Sequence, residues 1–196
     1  MPERRATISR VTSETRIELT LCLDGDGESK IETGVGFFDH MLTHIARHGL
    51  MNLSITARGD LHIDDHHTVE DVGIALGKAF AEALGERRGI TRMGSALVPM
   101  DEALVLCAVD ISGRGYFEHE LTLTTPMLGG FTTELVVEFF RALAVNAGWT
   151  LHIRQISGSN THHIVEAAFK AFARAAAQAV SIDPRVTGIP STKGVL

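Results

Sequence analysis

The sequence has 196 residues, 44% apolar and 21% charged, the composition of an ordinary globular chain of one to one and a half domain lengths at roughly 150 residues per domain. Eighteen Lys and Arg against 24 Asp and Glu leave a net charge of −6, which argues against the basic footprint of a nucleic-acid binder. No stretch approaches the ~20 apolar residues of a membrane span, and ten histidines form a surplus that needs a cause.

The opening Met1-Pro2-Glu3-Arg4-Arg5 has charge but no apolar run behind it, so no secretory leader is expected. The expected compartment is the cytoplasm, with Cys22 and Cys107 as buried thiols rather than a disulfide. Alternation over Arg16–Leu23 predicts a strand, and Ile31–Glu32 another. Phe38–His48 reads as a helix stopped by Gly49, followed by a short strand at Leu53-Ser54-Ile55. A second helix runs from about His66 to Leu84, with Asp64 and Asp65 where an N-cap belongs. The order then recurs. Strands at Ala103–Val109 and Tyr116–Thr124 precede a helix over Glu134–Ala147 stopped by Gly148. After it come a strand at Leu151-His152-Ile153 and a helix from about His162 to Val180, capped by Asn160. Ile182–Leu196, with two prolines and two glycines, reads as irregular.

This recurrence is an internal duplication. Asp64-Asp65-His66-His67-Thr68-Val69-Glu70 matches Asn160-Thr161-His162-His163-Ile164-Val165-Glu166, and both run into Ala-rich segments with Lys and Phe. Phe37–Gly49 parallels Leu135–Gly148, and Leu19-Thr20-Leu21-Cys22 parallels Leu104-Val105-Leu106-Cys107. Leu53-Ser54-Ile55 parallels Leu151-His152-Ile153, and four such matches in the same order are not readily supplied by chance. The expected fold is therefore α+β: a duplicated β-rich/α-β-α half, with four helices packed between two mixed four-stranded sheets. Residues 1–196 are expected to form a single pseudo-symmetric domain, with repeats over about 1–90 and 91–182 and a tail over 183–196.

In His66-His67-x-x-Glu70, His66 and Glu70 are i and i+4 and share a helix face, whereas His67 points about 100° away. The second copy does the same with His162, Glu166 and His163. Pseudo-symmetry suggests crossed ion sites: His66 and Glu70 with His163, and His162 and Glu166 with His67. The matching positions of the preceding helices, His40 and Glu138, are also of ligand type. These donors admit Zn, Fe, Ni, Cu or Mn. A metalloprotease is disfavoured, since HExxH is absent. His40, His44 and His48 line one helix face; His44 is left open between a site and a solvated stripe. His62, His119 and His152 receive no role.

The residues Gly36-Phe37-Phe38-Asp39-His40, Asp64–Asp71, Met100-Asp101-Glu102-Ala103, Asp110–Arg114, Asn160–Lys170 and Pro190–Leu196 span nearly the whole chain. In these segments the sequence resembles the imidazoleglycerol-phosphate dehydratase family, lyases of histidine biosynthesis. The resemblance implies two Mn2+ per active site, other divalent metals being possible. One ion would take His40, His67, His162 and Glu166, and the other His66, Glu70, His163 and Glu138. It implies substrate contacts from His48, Arg92, Arg114, Lys170, Ser191, Thr192 and Lys193, the basic ones chiefly to a phosphate, and acid/base work by Glu14, itself a substrate contact. It further implies dehydration of a phosphorylated imidazole through an imidazolate and a diazafulvene-like intermediate. The expected partners are that substrate and other copies of the chain, in a symmetric homo-oligomer of twenty-four subunits, with no nucleic acid and no membrane. Competing readings are a metal-storage assembly, which needs no phosphate shell, and another metal-dependent lyase or hydrolase acting on a small phosphate.

Overall fold

The computed structural model describes residues 3–196, so Met1 and Pro2 of the leader reading lie outside the described residues. The first half runs β1 (Arg5–Val11), β2 (Thr15–Cys22), β3 (Ser29–Glu32), α1 (Gly36–Gly49), β4 (Asn52–Gly59) and α2 (His66–Leu84). The second runs β5 (Met93–Met100), β6 (Ala103–Asp110), β7 (Tyr116–Glu120), β8 (Met127–Leu128), β9 (Phe131–Thr132), α3 (Leu135–Ala147), β10 (Thr150–Ser157) and α4 (Thr161–Val180). The sheets have the same topology, β1-β2-β4-β3 and β5-β6-β10-β7. In each, three strands are antiparallel and the last, β3 or β7, joins in parallel.

Alternation dictates this arrangement. Ile17, Leu19 and Leu21 of β2, with Leu53, Ile55 and Ala57 of β4, are buried while the residues between them face outward. Val105, Cys107 and Val109 of β6, with Leu151 and Ile153 of β10, repeat the pattern. Each sheet thus has one apolar face to cover. The helices cover it: α2 lies on β1 and β2, α4 on β5 and β6, while α2 packs against α3 and α1 against α4. The expected layering of four helices between two mixed sheets is therefore present. At its centre Phe139, Phe140, Phe169 and Phe172 are fully buried, with Phe140 and Phe169 ring centroids 4.8 Å apart. Among the described residues no helix is long and apolar enough to cross a membrane.

The helices approach closely where side chains are small. A Cβ added at Gly77 of α2 would lie 2.5 Å from the carbonyl oxygen of Leu143 and 2.9 Å from Asn146 Cβ. In an exposed helix, Gly→Ala stabilises by about 1 kcal/mol. Here Gly77→Ala is expected to destabilise by about 1–3 kcal/mol, the usual cost of overpacking. A lowered Tm and denaturation midpoint check the sign; a raised Tm would contradict the packing described.

Several expectations are corrected. Pairing places Leu19 opposite Ile55 and Cys107 opposite Ile153, so β2 and β6 correspond at an offset of 88. Leu19 matches Cys107 and Leu21 matches Val109; the likeness of Leu19–Cys22 to Leu104–Cys107 is out of register and on the wrong face. It misleads because the outward Leu104 and Leu106 are themselves apolar and half-buried. Cys22, on the outer face, is only half-buried, unlike Cys107, and both thiols are free. The β8–β9 hairpin, with no counterpart among the described residues of the first half, lengthens the path into α3. Strand β7 ends at Glu120, short of Thr124.

Helix α1 is not stopped by Gly49. Leu50 takes the left-handed position (φ 52°), and Gly49 lies buried against α4, where a Cβ would come to 3.4 Å from the Ala173 carbonyl oxygen. Gly148 does take that position after α3 (φ 68°). Asp65 does occupy the N-cap position of α2, but its side chain makes no capping hydrogen bond. Its carboxylate accepts from Thr132 N and Oγ1 at 2.7 Å, tying the hairpin to the first half, while Asp64 accepts from His66 N at 2.9 Å. Asn160 caps α4 as expected, accepting from His162 N and His163 N.

Candidate functional site

The cap at Asn160 starts α4 so that His162, Glu166 and Lys170, at i, i+4 and i+8, share one stripe. Helix α1 crosses that stripe with its own, His40 and His44. Glu166, its side chain 8% exposed, is the centre: His162 Nε2 lies 3.2 Å away, His44 Nε2 3.3 Å, His40 Nε2 3.5 Å, and Lys170 Nζ donates at 2.6 Å. The ligand atoms of His40, His44 and Glu166 all lie within 4.8 Å of one another. Burial disfavours charge on Glu166, but the Lys170 hydrogen bond and the nearby imidazoles leave its pKa below the ordinary carboxylate range. Burial, only partly offset by Glu166, pushes His44 down to about 4, so its imidazole is neutral. Burial also lowers His48, with Lys170 and Arg174 adding to the effect.

At the start of α2, His66 Nε2 stands 3.7 Å from Glu70, the helical pairing that the spacing predicts. His67 and His163 point elsewhere, each onto a carboxylate. His67 Nδ1 is 3.0 Å from Asp60 and 3.9 Å from Glu14. His163 Nδ1 is 2.7 Å from Glu102. Those hydrogen bonds, to Asp60 and Glu102 respectively, raise both histidines' pKa values. Glu138 is engaged by Arg141 at 2.5 Å, one turn along α3.

A third group forms at the far end of α4. Arg92 is in the left-handed region (φ 74°), and its N–H bonds the carbonyl of Ala179. Its guanidinium grips Asp110 through two nitrogens and donates to the Pro190 carbonyl at 2.9 Å. The tail returns to Gly113, where a Cβ would lie 2.5 Å from the Leu196 carbonyl carbon, beside Arg114. Ser191, Thr192 and Lys193 lie on this segment, with Lys193 N donating to Ser191 Oγ. Ala179 is thirteen residues beyond Glu166, or about 20 Å at ~1.5 Å per residue.

One chain therefore gathers His40, His162, Glu166 and Lys170, pairs His66 with Glu70, sets Glu14 near His67, and holds Arg92 and the tail at the opposite end of α4. His44, left open by the sequence, joins the first cluster. Asp60 was not singled out, and Glu102 entered only within the Met100–Ala103 segment that carries the resemblance, with no site role.

The family model described as imidazoleglycerol-phosphate dehydratase matches residues 33–176. The chain is 61% identical to the imidazoleglycerol-phosphate dehydratase of Desulforamulus reducens over 196 residues, 100% of both. The crystal structure of the Staphylococcus aureus imidazoleglycerol-phosphate dehydratase aligns with a TM-score of 0.83 at 41% identity, covering 91% of this chain and 99% of that one. That of the Pyrococcus furiosus IGPD aligns with a TM-score of 0.84 at 41% identity, covering 96% and 100%.

Proposed function

The chain belongs to the imidazoleglycerol-phosphate dehydratase family, and from that premise we propose how its residues divide the work. It is a hydro-lyase of histidine biosynthesis, converting imidazoleglycerol phosphate to imidazole-acetol phosphate and water. The reaction removes a hydroxyl and the hydrogen of the neighbouring carbon, and the resulting enol becomes a ketone.

The observation that carries the reading is the convergence of His40 and His162 on the buried Glu166. Two imidazole nitrogens and one carboxylate at this spacing are a donor set that fits a divalent cation of the Mn2+ type, with the Glu166 carboxylate as its anionic member. His67 would complete this set, and His66, Glu70, His163 and Glu138 would make the second. Bound there, two Mn2+ ions would supply Lewis acidity and orient the imidazole. The separation of about 20 Å along α4, at ~1.5 Å per residue, between Glu166 and the Ala179 turn that holds Arg92, and the absence of His67 from the Glu166 cluster, support a site assembled from more than one copy. A homo-oligomer of twenty-four subunits is the form proposed. The free thiols of Cys22 and Cys107 are consistent with a cytoplasmic location.

The remaining residues bind and move protons. Arg92, Arg114, Lys170 and Lys193 supply positive charge for a phosphate, with Ser191 and Thr192 hydroxyls to accompany them and His48 beside Lys170. Glu14, 51% exposed on the β1–β2 turn, is free to take the carbon-bound proton.

Removing one charge-assisted phosphate contact costs about 1.5–3 kcal/mol. Arg114→Ala is thus expected to raise KM roughly 10- to 100-fold while leaving Mn2+ content unchanged. Steady-state kinetics beside metal analysis test this; an unchanged KM would remove Arg114 from the phosphate shell. The metal-storage reading needs no such shell and predicts no effect.

A further inference from the structure

The two halves treat equivalent residues differently. With β2 and β6 corresponding at an offset of 88, the β1–β2 turn residue Glu14 is the counterpart of Glu102 in the β5–β6 turn. Each turn faces the second histidine of its own half's His-His-x-x-Glu segment. In the second half the contact is closed. Glu102 Oε2 accepts from His163 Nδ1 at 2.7 Å, while Oε1 accepts from the backbone N–H groups of Ser159 and Asn160 at 3.2 and 2.8 Å. In the first half the same glutamate stops short. Glu14 is 3.9 Å from His67 Nδ1, and Asp60, leaving the end of β4, occupies that nitrogen at 3.0 and 3.2 Å. The residues leaving β10 at the matching place, Gly158 and Ser159, carry no carboxylate.

A carboxylate only accepts. A neutral imidazole held by it must put its single proton on Nδ1, which leaves the Nε2 lone pair outward. Carboxylate–histidine pairs of this kind fix the tautomer and ring orientation of a ligating histidine.

We propose that Asp60 and Glu102 are positioning residues that hold His67 and His163 by Nδ1 and turn Nε2 outward as the ligand atom. Asp60 thereby relieves Glu14 of the task its counterpart performs, leaving the Glu14 carboxylate free to meet substrate. The assignment rests on the metal reading above for what Nε2 binds, but the tautomer it requires stands independently. One duplicated glutamate thus has two fates, decided by whether its half carries an aspartate after the third antiparallel strand.

Asp60→Ala removes one acceptor. Glu102→Gln keeps the backbone contacts of Glu102, since its amide oxygen still accepts from Ser159 and Asn160, so folding of α4 is protected. In metal-stripped protein, 15N NMR of the histidine side chains is expected to show one imidazole leaving the Nδ1–H tautomer in each variant. Titration with Mn2+ alone is expected to show affinity 10- to 100-fold weaker, the usual loss on removing such a partner. Asp60→Glu is expected to recover part of it. In Asp60→Ala the nearest acceptor left to His67 is Glu14, so kcat is expected to fall, and Asp60→Ala/Glu14→Gln to be no slower than Glu14→Gln alone. Folded variants with unchanged tautomers and wild-type Mn2+ affinity would overturn the proposal, as would full additivity of the double variant. If the unaltered protein binds no Mn2+, the metal reading fails instead, and the tautomer spectra still decide this one.

Discussion

Glu166→Gln is expected to abolish dehydration, lowering turnover by at least about 10³-fold, and to remove Mn2+ binding at the α1–α4 crossing. The side chain keeps its size, so packing is preserved and the charge alone is changed. That charge is what four neighbours share: His40, His44 and His162 within 3.2–3.5 Å, and Lys170 at 2.6 Å. Without it the cluster becomes three imidazoles and an ammonium, a poor home for a cation, and Lys170 loses its partner in a half-buried place. Removing one member of a buried pair is costly, although here Lys170 keeps some access to water. A modest fall in Tm is therefore expected beside the complete loss of activity. Equilibrium dialysis with Mn2+, kinetics and thermal melting separate these effects. Retained turnover would take Glu166 out of the site.

Glu14→Gln is expected to lower kcat by about 10²–10⁴-fold, the range for loss of a positioned general base, with Mn2+ binding and substrate affinity little changed. Glu14 is half exposed on a turn, its backbone N–H bonds Thr12 Oγ1 at 3.1 Å, and its carboxylate is not consumed by the hydrogen bond that occupies Glu102. A glutamine retains the shape but cannot take a proton. Binding measured by calorimetry beside single-turnover kinetics distinguishes a chemical role from a binding one. Equal turnover in the variant would exclude Glu14 from proton transfer.

Much of the architecture was legible because it is periodic. Strand alternation placed β2, β6 and β10, and the matched His-His-x-x-Glu segments with their cap residues placed the start of α2 at His66 and revealed the duplication. Strands β1 and β5 were not individually legible: β1 buries only Ala6 and Ile8, and β5 has Gly94 and Pro99 within it. The β2–β6 register was missed because Leu104 and Leu106 make both faces of β6 apolar. Within the site, donors that share one helix, such as His66 with Glu70, follow from spacing. His44 became a neighbour of Glu166 only through the crossing of α1 over α4. Asp60 and Glu102 reach their histidines from a strand end and a turn, contacts set by tertiary folding that no local spacing encodes. The tail's approach to Gly113 is of the same kind.

The most direct measurement is dehydration of imidazoleglycerol phosphate by protein stripped of metal and then titrated with Mn2+. No turnover is expected in the stripped protein, and recovery is expected to saturate at two ions per chain, with imidazole-acetol phosphate as product. Full activity in the metal-free protein would contradict the two-metal reading, as would saturation at a single ion.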